Sequence, residues 1–85
     1  MSEIRILGLL ITDRIKESGY TQEVLSRYGH VIKTRLGFHE VTENVCSRLG
    51  VIIIRLSGPP SECDRLEAEL NKIGGLEVQR MLFAC

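Results

Sequence analysis

The sequence predicts an α+β domain with the element order β-α-β-β-α-β, and three observations support this prediction. Two apolar runs, Ile4 to Ile11 and Arg48 to Leu56, are hydrophobic at both parities, as expected of central strands. Two further runs read as strands, and two stretches show the apolar spacing of amphipathic helices. Two right-handed βαβ crossovers joined by a hairpin give a four-stranded antiparallel sheet with both helices on one face, which is the ferredoxin-like arrangement.

Length and composition indicate one small domain covering residues 1–85. The hydrophobic fraction of 44% argues against disorder. Lys+Arg and Asp+Glu each number 11, so the formal net charge is zero and direct nucleic-acid binding is not expected. No stretch reaches transmembrane length and the first residues do not resemble a signal peptide, so we expect a cytoplasmic protein without membrane contact.

The first half of the chain predicts a strand followed by a helix. In the strand Ile4 to Ile11, the even apolar positions and the odd apolar positions lie on opposite faces, with Gly8 marking a close approach or a bulge. Thr12-Asp13 offers a helix N-cap. The helix should run to about Tyr28, and Gly29 should end it.

The second predicted strand runs from Val31 to Val41 and leads into a hairpin. Its alternation assigns Ile32, Thr34, Leu36 and Phe38 to the core face, and Arg35, Gly37 and His39 to the other face.

After Ser57-Gly58-Pro59-Pro60, the sequence predicts a second helix and a last strand. Ser61 with Asp64 resembles a capping box. Gly74-Gly75 should end the helix, and the strand should run from Leu76 to Phe83. The core stripe of this helix steps by 3, 4 and 3 residues through Cys63, Leu66, Leu70 and Ile73.

The apolar character of both central strands predicts self-association. The helices cover one face of the sheet, and soluble monomers rarely leave a large apolar face exposed. We therefore expect a homo-oligomer, a dimer or tetramer packed sheet to sheet or edge to edge. Arg55 shares a parity with Val51 and Ile53. If that parity faces the second subunit, Arg55 would pair with a carboxylate there, and if it faces the helices, Arg55 must reach the sheet edge or find a partner. The alternative is a monomer whose long Lys and Arg side chains cover the face.

Catalytic motifs are absent from the sequence: there is no nucleophile elbow, phosphate-binding loop, dinucleotide fingerprint or zinc-protease motif. We expect no enzyme activity, although a small enzyme with an oligomeric active site is the third-ranked alternative. The three cysteines lack a Cys-x-x-Cys pair, so no disulfide framework is expected.

His39 and Cys46 are the candidate metal ligands. A symmetric turn at Thr42-Glu43 would place them directly opposite each other, with β-carbons about 5 Å apart. A closed site needs about four ligands, so His30 of a second chain or Cys85 would have to contribute. The alternative is a polar and a small residue near a hairpin tip with no metal bound.

Arg35 with Gly37 is the other candidate site, because glycine in a strand permits close approach of a ligand or backbone. Arg35 would bind an anion, or pair with a carboxylate across a subunit interface.

Several of these residues resemble a known family, the iron-only hydrogenase system regulators with an ACT-type fold. The resemblance rests on Asp13-Arg14 after the first strand, on Val24-Leu25-x-x-Tyr28, and on Arg35-x-Gly37-Phe38. It continues through Leu66-x-x-x-Leu70-x-x-Ile73-x-Gly75-Leu76-x-Val78. Members often carry Pro at the position of His39. The resemblance implies a regulatory module in the context of iron-only hydrogenase. Further candidate ligand or interface residues for such a module are Thr12, Asp13 and Arg14, in the first turn.

The pattern is also similar to the C-terminal domain of nickel-responsive regulators. That resemblance implies a metal sensor or carrier using His39 and Cys46, which is the alternative function. A second histidine in the second strand is missing, since position 37 is Gly. The leading prediction is a non-catalytic, homo-oligomeric, ligand-sensing module whose small-molecule or metal ligand the sequence does not identify.

Overall fold

A computed structural model describes residues 3–12, 14–41 and 46–84, with the side chains of 14–18, 38–41 and 46–49 outside this description. It contains the six predicted elements in the predicted order. Their bounds are β1 Glu3–Ile11, α1 Arg14–Arg27, β2 Ile32–Val41, β3 Cys46–Leu56, α2 Pro60–Asn71 and β4 Leu76–Ala84.

The four strands form one antiparallel sheet in the order β2-β3-β1-β4. The two strands that are apolar at both parities, β1 and β3, therefore lie in the centre, as predicted. The order β-α-β-β-α-β with both helices packed on the sheet confirms the ferredoxin-like α+β fold.

The hydrophobic core lies between the sheet and the helices. Leu7 on β1 and Ile54 on β3 pair across the sheet centre, and both are fully buried. Leu66 and Leu70 of α2 pack onto this layer, which confirms the predicted stripe. Each fully buried Leu or Ile contributes roughly 1.5–3 kcal/mol. The buried apolar residues are Leu7, Leu9, Ile11, Val24, Leu25, Val31, Ile52, Ile54, Leu56, Cys63, Leu66, Leu70 and Ile73.

The second helix begins differently from the prediction. Pro59 is its N-cap, and no side chain caps the first turn, so the capping box of Ser61 and Asp64 does not form. Pro60 occupies the first helical position, where its fixed φ suits a helix and its missing N–H costs nothing. The helix ends at Asn71 with Lys72 as its C-cap, earlier than the predicted Gly74-Gly75. In the turn that follows, Gly75 has a φ of 80°, in the left-handed region that favours glycine.

A β-bulge in β2 overturns the predicted assignment of its faces. Ile32 pairs with Leu56 and Thr34 with Arg55, so two steps along β2 match one step along β3. The extra residue reverses the alternation that the sequence suggested. Leu36 consequently pairs with Ile53, on the face away from the helices, and is exposed rather than buried.

An ion-pair network fastens β1 to α2. Arg5 lies on the helix side of β1 and is only 3% exposed. Its guanidinium contacts carboxylate oxygens of Glu3 at 2.7 Å and Glu67 at 3.2 Å, as well as that of Asp64. Burial would lower the pKa of Arg5, but its hydrogen bonds to Asp64 and Glu3 raise that pKa above its ordinary value.

Neither helix in the described part of the chain is long and apolar enough to cross a membrane.

Candidate functional site

The face of the sheet away from the helices, called here the open face, carries apolar side chains on all four strands. Large side chains there keep much of their surface: Leu36 is 58% exposed, Met81 55%, Phe83 51% and Ile53 38%. The described residues that the register places on the open face are Ile4, Ile6, Gly8 and Leu10 of β1, Val51, Ile53 and Arg55 of β3, Glu77, Gln79, Met81 and Phe83 of β4, and Thr34 and Leu36 of β2.

The open face measures about 19 by 26 Å, from four strands spaced about 4.8 Å and about eight residues rising 3.3 Å each. Its projected area, polar side chains included, is about 500 Å², and the largest apolar patches on soluble monomers measure about 300–600 Å² and are often functional. The register bulge in β2 enlarges it, because it brings Leu36 onto this side.

A depression of about 170 Å³ lies in the middle of the open face. Its floor is Gly8, and its walls include Ile6, Ile53 and Met81. A β-carbon built on Gly8 would meet no atom within 4 Å, so no described residue fills the space above the glycine on this face. Within the described part of the chain, the close approach predicted for Gly8 therefore does not occur on the open face.

The charged residues that the structure describes on the open face are Arg55 and Glu77, both exposed. Arg55 shares its side of β3 with Ile53, as predicted, and faces away from the helices. Neither residue forms an ion pair with another described residue.

Arg35 and Gly37 lie on the helix side of the sheet, which corrects the prediction that they face away from the core. Arg35 pairs with Ile54, and Gly37 with Ile52, both buried residues of the helix side. The Arg35 guanidinium donates a hydrogen bond to the side-chain oxygen of Gln22 on α1. The bulge in β2 again explains why the observed face differs from the predicted one. Arg35 joins α1 to the edge strand β2.

Thr12 holds two elements together. Its backbone N–H and its hydroxyl both donate to the carbonyl oxygen of Gly75, each at 2.9 Å. The end of β1 is thereby fixed to the turn that precedes β4. Asp13 lies outside the described residues, as does the side chain of Arg14, which begins α1. Arg35 is level with Leu7 on β1, so the structure does not bring it to Thr12.

His39 and Cys46 are not directly opposite each other, which corrects that part of the metal-site prediction. His39 pairs with Gly50, and Cys46 pairs with Val41, with a register shift between the two pairs. The predicted symmetric turn at Thr42-Glu43 lies outside the described residues, as does Cys85. No group of three or more His, Cys, Asp or Glu side chains able to hold a metal occurs within residues 3–12, 14–41 and 46–84, so far as their side chains are described.

A polar cluster joins the end of α1 to α2. Arg27 pairs with Glu69 at 2.9 Å, and the His30 Nε2 contacts Glu62 at 3.1 Å. A hydrogen bond to Glu69 raises the pKa of the Tyr28 hydroxyl. Glu69 thereby connects α2 to α1, and Glu62 connects α2 to the turn that follows α1.

Sequence reasoning also missed Arg5. Arg5 has the same parity along β1 as the buried residues Leu7, Leu9 and Ile11. The alternation of this strand could therefore have predicted that Arg5 is buried.

Burial raises the pKa of the Cys63 thiol, although the nearby Arg5 cation opposes this. The buried thiol is a core residue, as the helical spacing predicted.

Three solved structures share this fold. TM1266, an uncharacterized protein from Thermotoga maritima, is 23% identical with a TM-score of 0.82, over 99% of this chain and 100% of that chain. CPII, a nitrogen regulatory PII-like protein from Thiomonas intermedia K12 bound to ADP, AMP and bicarbonate, is 14% identical with a TM-score of 0.54, over 98% and 94%. The de novo designed protein Foldit4 is 11% identical with a TM-score of 0.55, over 100% and 99%.

No family model and no curated protein matches the chain. At these identities the structural likeness establishes the ferredoxin-like fold, and a fold shared with a designed protein does not by itself imply a function.

Proposed function

We propose that this chain is a non-catalytic regulatory module that works as a homo-oligomer, with copies meeting at the open face. The observation that carries the proposal is the exposure of Leu36, Ile53, Met81 and Phe83 on one continuous surface. An apolar patch of this kind marks an interaction site. A second copy would cover it with the same surface, as in most soluble oligomers.

The absence of catalysis in this proposal rests on the dispersal of the candidate residues. Thr12 is engaged with Gly75, whereas Arg35 is engaged with Gln22 and lies level with Leu7 of β1. Nucleophilic catalysis requires a nucleophile, a base and an orienting group that lie within hydrogen-bond reach of one another.

The regulatory part of the proposal is that a small ligand favours one assembly over another. A ligand shifts such an equilibrium only by its difference in affinity for the two states. The CPII structure, which shares the fold, holds ADP, AMP and bicarbonate, and these compounds are therefore the first probes to use. The resemblance to iron-only hydrogenase system regulators supports hydrogenase control as the biological context.

A melting-temperature screen followed by mass measurement tests the proposal. The purified chain is heated with ADP, AMP, bicarbonate, amino acids or Ni²⁺, and each compound that raises Tm is taken to light scattering. A ligand at 100 times its Kd should stabilise the protein by about 2.7 kcal/mol. We expect an oligomer whose mass distribution shifts with such a ligand. A monomeric mass with and without every probe would overturn the proposal.

A further inference from the structure

The two charged residues that the structure describes on the open face lie symmetrically about Gly8. Arg55 is level with Ile6 of β1, and Glu77 is level with Leu10. Gly8 is midway between Ile6 and Leu10, and β1 lies between β3 and β4. Gly8 is therefore the midpoint of the line from Arg55 to Glu77.

Arg55 and Glu77 are too far apart to pair within one chain. Two strand spacings and a rise of four residues separate their backbones by about 17 Å. The described face around them is otherwise apolar or uncharged. A partner that covers this face must satisfy both charges, because a charge buried without a partner is strongly disfavoured.

We infer that the occupant of the open face is a second copy, docked about a two-fold axis that passes over Gly8. The axis lies parallel to the sheet and at right angles to the line joining Arg55 and Glu77. A half-turn about it places Arg55 of each copy over Glu77 of the partner subunit. Both ion pairs form at once, because contacts across a two-fold axis are reciprocal. This inference rests on the proposed function and adds the orientation of the two copies.

Gly8 fits a position on the axis. Its φ is not in the left-handed region, and a β-carbon there would meet nothing within 4 Å. Neither the backbone conformation nor the packing of the described residues requires glycine at this position. On the axis, the depression over Gly8 faces its own copy and lets the two sheets approach closely, which is a recognised use of glycine in a strand.

The same geometry sets the crossing angle of the two sheets. The line from Arg55 to Glu77 is inclined by about 35° to the strands, so the strands of the two copies cross at about 70°. That value is near the orthogonal class of sheet packing. The overlap is about 19 by 19 Å, which is small for a stable interface, so we expect association in the micromolar range.

A charge-swap experiment tests the pairing. Arg55→Glu and Glu77→Arg each create two like-charge contacts in a homodimer. We expect each variant alone to associate at least about 100-fold more weakly than the wild-type chain. An equimolar mixture of the two variants restores both opposite-charge contacts, so we expect it to form heterodimers within about tenfold of wild-type affinity.

Two matched variants control for charge alone. Arg65→Glu and Glu23→Arg reverse exposed charges on the helices, and both should leave association unchanged. Circular dichroism establishes that every variant is folded.

Sedimentation of the single variants and their mixture gives the outcome. If the single variants dimerise as tightly as the wild-type chain, or if their mixture associates no more tightly than either variant alone, the proposed orientation is wrong. The homo-oligomer itself would still stand. A monomeric wild-type chain would overturn both this inference and the proposed function.

Discussion

Arg5 and Asp64 form an ion pair of 2.8 Å that joins the first strand to the second helix. The two partners differ in burial, since the side chain of Arg5 is 4% exposed and that of Asp64 is 64% exposed. The network therefore depends on the arginine, which also contacts Glu3 and Glu67, more than on this aspartate.

Substitutions at the two ends should separate these contributions. Arg5→Ala removes buried packing and leaves partly buried carboxylates without their cation, so we expect the free energy of unfolding to fall by about 3 kcal/mol. Asp64→Asn breaks a contact near solvent, and should cost less than about 1 kcal/mol. Urea denaturation measures both. A larger loss for Asp64→Asn would show that the aspartate anchors the network.

Gly8→Val should act in opposite directions on folding and association. Valine favours a strand and meets no neighbour within 4 Å at the β-carbon, so the single chain should gain about 0.5–1 kcal/mol of stability. The added side chains would collide on the proposed axis, so association should weaken. Denaturation at low concentration and light scattering at high concentration measure the two effects. Unchanged association of Gly8→Val would show that the two-fold axis does not pass over Gly8.

Cys63 should react slowly and should make stability sensitive to high pH. Burial raises the pKa of its thiol, so the folded state binds this proton more tightly than the unfolded state. The resulting stabilisation of the folded state is complete below the thiol pKa of the unfolded chain, about 8.5. It is lost as the pH rises through the thiol pKa of the folded chain. In a Cys46→Ser, Cys85→Ser background, thiol labelling should require unfolding. A matched Cys63→Ala chain should lack this loss of stability at high pH. Rapid labelling of the thiol in the folded chain would contradict its burial.

Cys46→Ser should leave metal affinity unchanged. His39 pairs with Gly50 and Cys46 with Val41, so the register does not set the two candidate ligands directly opposite each other. A closed site also needs about four ligands. Calorimetric titration of both proteins with Ni²⁺ provides the comparison. Stoichiometric binding that is lost in the variant would favour the metal-sensor alternative.

Periodicity was sufficient to predict most of the fold. The alternation of β1 and β3 identified the central strands, and the stripe through Leu66 and Leu70 identified the face of α2 that is buried. These patterns are reliable because one hydrophobic core selects each buried face.

The candidate site was less predictable, because it depends on register. One bulge after Ile32 reversed the faces of β2, and thereby exchanged the expected places of Leu36 and Arg35. A bulge on an edge strand leaves no clear mark in a sequence that alternates regularly. The positions of Arg55 and Glu77 about Gly8 likewise appear only once three strands are aligned.

Met81 and Leu82 provide the most direct test that copies meet at the open face. They are adjacent and similarly exposed, at 55% and 50%, but Met81 lies on the open face and Leu82 on the helix side. Sedimentation velocity from low to high micromolar concentration should show a dimer or larger assembly for the wild-type chain and for Leu82→Lys. It should show a monomer for Met81→Lys. A wild-type monomer, or an assembly that Met81→Lys leaves intact, would contradict the account.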